Sequence, residues 1–132
     1  MRRLRVVVLS LVLASVGASC YKFIGFPSYG KPIVIAVVIQ TEKGNCITHT
    51  SPEWQPVRRG ETFKWHIVAE DTCAKPPDVT FQFEKSDAVK VTDIKDNPRQ
   101  KQGEAIGVCG RYKYKVLIKN KVVEDPEIEI WP

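Results

Sequence analysis

GRYKYKVLI, residues 110–118, changes side-chain character at nearly every step. Tyr112, Tyr114, Val116 and Ile118 fall on one side of an extended chain, with Arg111, Lys113 and Lys115 on the other. A helix would spread the two sets around its circumference, so this stretch predicts a strand with its tyrosines inward and its cations in water. The same period of two returns in TFKWHIVAE (62–70), which places Phe63, Trp65 and Ile67 together, and in VTFQFE (79–84), which does so for Val79, Phe81 and Phe83. IVIAVVIQ (33–40) is an unbroken β-branched run and predicts a strand buried on both faces. CITHT (46–50), AVKVTDI (88–94) and EIEIW (127–131) are shorter strand candidates, and AIGVC (105–109) leads into the Tyr strand.

Between these runs lie SPEWQPVRRGE (51–61) and DTCAKPPD (71–78), read as turns, and KDNPRQKQGE (95–104), read as a polar connection. No segment carries a 3.6-residue period. Eight glycines and nine prolines fall mostly between the runs. A chain of 132 residues holds one domain. The predicted class is all-β: a two-sheet Greek-key β-sandwich of about seven or eight strands.

The first nineteen residues stand apart. Arg2, Arg3 and Arg5 precede an apolar run from Val6 to Val16, and Gly17-Ala18-Ser19 supplies small residues ahead of Cys20. That is the layout of a secretory signal, and the run falls short of the roughly 20 residues a membrane-spanning helix needs. Residues 1–19 are therefore expected to be a signal peptide, 20–32 a lead-in or tether, and 33–132 the sandwich. The small residues also resemble a bacterial lipobox, with Cys20 as the lipidated residue, which implies an exported protein, periplasmic or on the cell surface, held at a membrane by its lipid. Without residues 1–19 the 20 basic residues lose three and the 15 acids lose none, leaving a net charge of only +2. Nucleic acid is excluded as a partner on that balance.

Two segments carry a family resemblance. VRRGETFKWHI (57–67) resembles the cupredoxin segment in which a charged Gly-acid turn feeds a strand with an inward Trp. GRYKYKV (110–116) is similar to the late cupredoxin strand that precedes the ligand loop. The resemblance implies a type-1 copper site and electron transfer, which needs two imidazoles and a thiolate. In that family a Cys closes the Tyr-x-Tyr strand, and a His and a Met follow. Here Val116 stands at the Cys position, and Leu117 to Pro132 contains no Cys, His or Met. The expectation is thus a cupredoxin-like sandwich without copper ligands and with no cofactor. An immunoglobulin-like sandwich, which also uses an inward Trp and a Tyr-rich late strand, is the competing architecture.

The remaining chemistry is sparse. His49 and His66 are the only histidines, and a hairpin of 46–50 with 62–70 would bring them near each other for a metal-binding or electron-transfer alternative. The same hairpin would set Cys46 opposite Cys73 for a disulfide; Cys73 with Cys109 is the second pairing, with Cys109 otherwise a spare thiol. Ser28, Ser51 and Ser86 lie in turns without a base, and Glu127 with Glu129 suits a solvated sheet edge, so no catalysis is expected. Trp54, in a Pro-flanked loop, and the cations Lys113 and Lys115 are the candidate contact residues. Their partner would be an envelope protein or a glycan.

Overall fold

A computed structural model describes residues 32–132; the leader and most of the lead-in lie outside the described residues. Ten strands run in order: β1 (Ile33–Glu42), β2 (Asn45–Ser51), β3 (Trp54–Arg58), β4 (Thr62–Ala69), β5 (Val79–Phe83), β6 (Val89–Asp93), β7 (Gln100–Ala105), β8 (Gly110–Ile118), β9 (Lys121–Glu124) and β10 (Glu127–Trp131). They form two five-stranded sheets. One has the order β2-β1-β4-β7-β6; the other is β3-β10-β8-β5, with β9 paired to β8.

Both sheets are mixed. β1 runs parallel to β4, and β3 runs parallel to β10. The sheets of an immunoglobulin-type sandwich are antiparallel, so these pairings set the chain apart from that architecture. Parallel neighbours need a crossover, and β1 reaches β4 only after β2 and β3 have been laid down in different sheets.

Alternation assigns the inner faces as expected. Phe63, Trp65 and Ile67 of β4 are buried, as are Tyr112, Tyr114, Val116 and Ile118 of β8. Trp65 sits at the centre. Its ring stacks on Phe81 with centroids 4.4 Å apart, meets Phe63 edge-on at 4.9 Å, and donates its indole N–H to the Tyr114 hydroxyl at 3.2 Å. Burial pushes the Tyr114 phenol well above its ordinary range; the Trp65 hydrogen bond opposes that shift and the Glu124 charge adds to it.

Three expectations are corrected. The stretch 95–104 is not wholly a polar connection, because β7 occupies Gln100–Ala105 between β4 and β6. Its inner positions are Lys101, Gly103 and Ala105, so it shows no apolar period. Gly103 is small because the Phe63 ring fills the space above it: a Cβ there would lie under 3.0 Å from three ring atoms. Gly103→Ala is expected to cost about 2 kcal/mol through overpacking, read as a lower urea midpoint; an unchanged midpoint would show that Phe63 has room to move.

The second correction concerns 51–61, where Trp54–Arg58 forms the edge strand β3 rather than a loop. Pro56 is tolerated there because an edge strand has one side with no ladder to supply. Third, the run 33–40 is buried on one face only. Ile35, Val37 and Ile39 are fully buried, while Val34 on the outer face is 50% exposed.

Candidate contact surface

The expected meeting of the two histidines does not occur. β1 lies between β2 and β4, so no 46–50/62–70 hairpin exists. His49 is opposite Val38 and His66 opposite Ala36. That puts two strand spacings, about 10 Å, and a two-residue offset between them. His49 instead lies 3.5 Å from the Glu42 carboxylate. Among the described residues no group of three or more His, Cys, Asp or Glu is placed to hold a metal ion.

The Cys46–Cys73 disulfide is present, with Cα atoms 5.7 Å apart. Its geometry differs from the hairpin expected. Cys46 lies at the start of β2, Cys73 lies in the turn after β4, and the bond passes the end of β1 that separates those strands. Beside it the Thr41 backbone N–H donates to the Asp71 carboxylate. Cys109 is not a spare thiol, because it too is disulfide-bonded. The pairing Cys73 with Cys109 is thereby excluded. None of the three described cysteines is available as a thiolate ligand, so added Cu²⁺ is expected to give no intense visible thiolate-to-copper band. Appearance of such a band would restore the electron-transfer alternative.

Trp54 and the Lys face come together through β10. Register places Trp54 opposite Glu127 and Glu127 opposite Lys113, and in the next outward row Pro56, Glu129 and Arg111. β10 is an interior strand, so Glu127 and Glu129 are not guards of a sheet edge as expected. They are the acidic rail between an aromatic edge and a basic strand. Arg111 Nε lies 3.4 Å from Glu127 Oε1 and 3.6 Å from Glu129 Oε1, and its guanidinium sits 5.9 Å from the Trp54 ring centre. The Trp54 indole N–H donates to Glu129 Oε2 at 3.1 Å.

Trp54 therefore stays 43% exposed while both its ring face and its N–H are held. An aromatic so fixed loses little side-chain entropy when something docks on it. Next to it lies a cleft of about 290 Å³ lined by Glu53, Trp54, Lys113, Glu124, Asp125, Pro126 and Glu127. Lys113 Nζ is 3.9 Å from Asp125 Oδ2. Lys115 lies two residues further along the outer face of β8, opposite Gln82 and away from this cleft. The cationic stripe is thus largely answered by acids of the same sheet.

Glu124 was not singled out by sequence and is the most connected of these acids. Its carboxylate accepts from the Thr48 hydroxyl at 2.9 Å, the Thr50 hydroxyl at 2.9 Å and the Thr50 backbone N–H at 2.8 Å. This clasp joins β9 of one sheet to β2 of the other. Thr48 and Thr50 are the only buried polar residues of the described core. Two threonines at alternate positions, sharing one face of β2, were the available signal, since buried hydroxyls need partners.

Together these features define an all-β, two-sheet sandwich with a structural clasp and an aromatic surface anchor. Val116, at the position where the cupredoxin resemblance would require a thiolate, is fully buried in the core. No family model and no curated protein matches the chain. A solved structure similar to it is the oxidised form of plastocyanin from Dryopteris crassirhizoma. The match has 12% identity, covers 72% of this chain and 98% of that one, and has a TM-score of 0.44.

Proposed function

We propose that the chain is exported and serves as a non-catalytic binding or structural module of the cell envelope, with the Trp54 surface as its contact site. The observation that carries this reading is an indole left 43% exposed yet pinned by Glu129 and Arg111. Trp and Arg are among the side chains most enriched at binding hot spots. The arginine-led apolar leader supports export, and the disulfide suits an oxidising compartment. The partner is an envelope protein or a glycan presented there.

The test is capture from the organism's own envelope fraction with the mature tagged protein. Trp54→Ala is expected to weaken the captured complex about 30-fold, the effect of losing a hot spot of roughly 2 kcal/mol, while Lys64→Ala on the opposite sheet leaves it intact. Equal retention by both variants would remove Trp54 from the interface. A second reading, favoured by Gly17-Ala18-Ser19, holds the module at a membrane by a lipid on Cys20. It requires a Cys20 sulfur that is engaged in nothing else.

A further inference from the structure

We infer that the open edge of β5 takes up an extended peptide segment of a partner protein, one whose side chains alternate apolar with polar and whose ends carry Lys or Arg. This edge lies at the opposite end of the β3-β10-β8-β5 sheet from Trp54 and does not depend on the reading of that surface.

The backbone defines the edge. Glu84 N–H donates to the Lys113 carbonyl at 3.3 Å, and the Asp78 carbonyl accepts from Lys119 N–H at 3.0 Å. Peptide groups alternate sides along a strand, so Thr80 and Gln82 also turn theirs to β8, while Phe81 and Phe83 turn theirs away. The N–H and C=O groups of Phe81 and Phe83 face outward with the Val79 C=O; the Val79 N–H is taken by the Pro76 carbonyl. Among the described residues no backbone group bonds to them. Edge strands are ordinarily guarded by proline, lysine or a cover. β3 has Pro56, β6 has Lys90 and β2 is clasped through Glu124. β5 reads VTFQF and carries no such guard.

Beside that edge the sandwich is open. β5 and β6 are each the last strand of their sheet. The groove of about 310 Å³ between them is lined by Phe81, Gln82, Phe83, Ser86, Val89 and Val91. A strand added to β5 continues its pleat, so residues opposite Phe81 and Phe83 point to the groove and those opposite Thr80 and Gln82 point to water. Main-chain pairing then supplies affinity, and the groove selects apolar side chains at alternate positions.

Charge selects the ends of the occupant. The outer row of β5 and its flanks runs Asp78, Thr80, Gln82, Glu84, acidic at both ends. Lys113, opposite Glu84, lies 3.9 Å from Asp125 on its other side, and Lys85 lies over the Tyr112 ring at 6.0 Å. The exposed Glu84 and Asp87 are thus left without a paired cation among the described residues. Lys115 stands behind Gln82, at the middle of the row. A strand with cations at its ends and none at its centre complements this pattern, since opposite charges attract across neighbouring strands. A second copy does not. Antiparallel pairing of two β5 strands about Phe81, the register that matches their outward groups, sets Asp78 of each against Glu84 of the other.

The probe is a synthetic heptapeptide of alternating valine and threonine, with valine second, fourth and sixth and lysine at both ends, titrated into the mature protein. Binding is expected to protect the Phe81 and Phe83 amides from hydrogen exchange, read by NMR. The same peptide with glutamate at both ends should bind about tenfold more weakly, because two cross-strand attractions become repulsions. Glu84→Lys should narrow that gap by weakening the first peptide and strengthening the second, which a misfolded variant could not do. Of two lysine-ended peptides N-methylated at alternate residues, only the one whose remaining N–H groups face β5 should bind. Equal binding or equal loss in those two, or no binding by the unmethylated peptide, overturns strand addition. Protection of the same two amides by self-association of the protein alone would give the edge to a second copy and overturn the partner proposed.

Discussion

Replacing Trp65 with alanine is expected to cost the fold about 4 kcal/mol, the upper range for emptying an aromatic site. The ring is fully buried and touches four other aromatics, with Phe83 6.2 Å and Tyr114 5.7 Å from it, centre to centre, in addition to Phe63 and Phe81. Those neighbours come from β4, β5 and β8, so both sheets lose a shared contact at once. None can collapse into the gap, because each is fixed in its own strand ladder. A domain of this size holds about 5–15 kcal/mol in total, so the variant should unfold early in urea or fail to accumulate. Trp65→Phe separates packing from polarity: it keeps most of the ring and removes only the N–H donated to Tyr114, a loss of about 1 kcal/mol. If Trp65→Ala unfolds at the wild-type midpoint, the sandwich is not centred on this residue.

Removing the Cys46–Cys73 bridge is the second large effect. The cysteines are 27 residues apart, and a loop of that length restrains the unfolded chain by about 3.5 kcal/mol in the chain-entropy account. The double variant Cys46→Ala/Cys73→Ala is preferred to a single one, which would leave a reactive thiol. Its urea midpoint should fall, and the transition should steepen, because the unfolded chain exposes more surface without the bridge. The bridge also anchors the ends of three strands, so β2 should gain hydrogen exchange before the β4–β7 centre does. A midpoint unchanged by the double variant would mean that β2 is held by the Glu124 clasp alone.

How far these features were legible in the sequence depended on whether the determining contact was local. The inner faces of β4 and β8 could be assigned because alternation is a property of a single strand. β7 was hidden because its inner side carries a lysine, a glycine and an alanine, and the side chain that fills the space belongs to Phe63 on another strand. β3 was hidden by Pro52 and Pro56, which mark an edge strand as readily as a turn. The order of strands was beyond pattern reading, since parallel pairing of β1 with β4 is decided by contacts across the whole domain. That misplaced the two histidines even though both were correctly given to strands. Trp54 and Lys113 were each noticed, but only β10, running between them, makes them one surface. Absence of the copper ligands was legible throughout, because it rests on which residue types exist after Val116.

The place of β10 bears on how the chain is put together in time. Trp54 finds its ladder partner only at Glu127, and β8 reaches β3 only through β10. Until residues 127–131 are made, the sheet containing β8 is split, with β3 left as a single strand against nothing. Synthesis therefore completes the β2-β1-β4-β7-β6 sheet by residue 105, while β3 and β8 of the facing sheet stay unjoined until β10 is made. A chain that stays open so late is slow to lock and easy to thread.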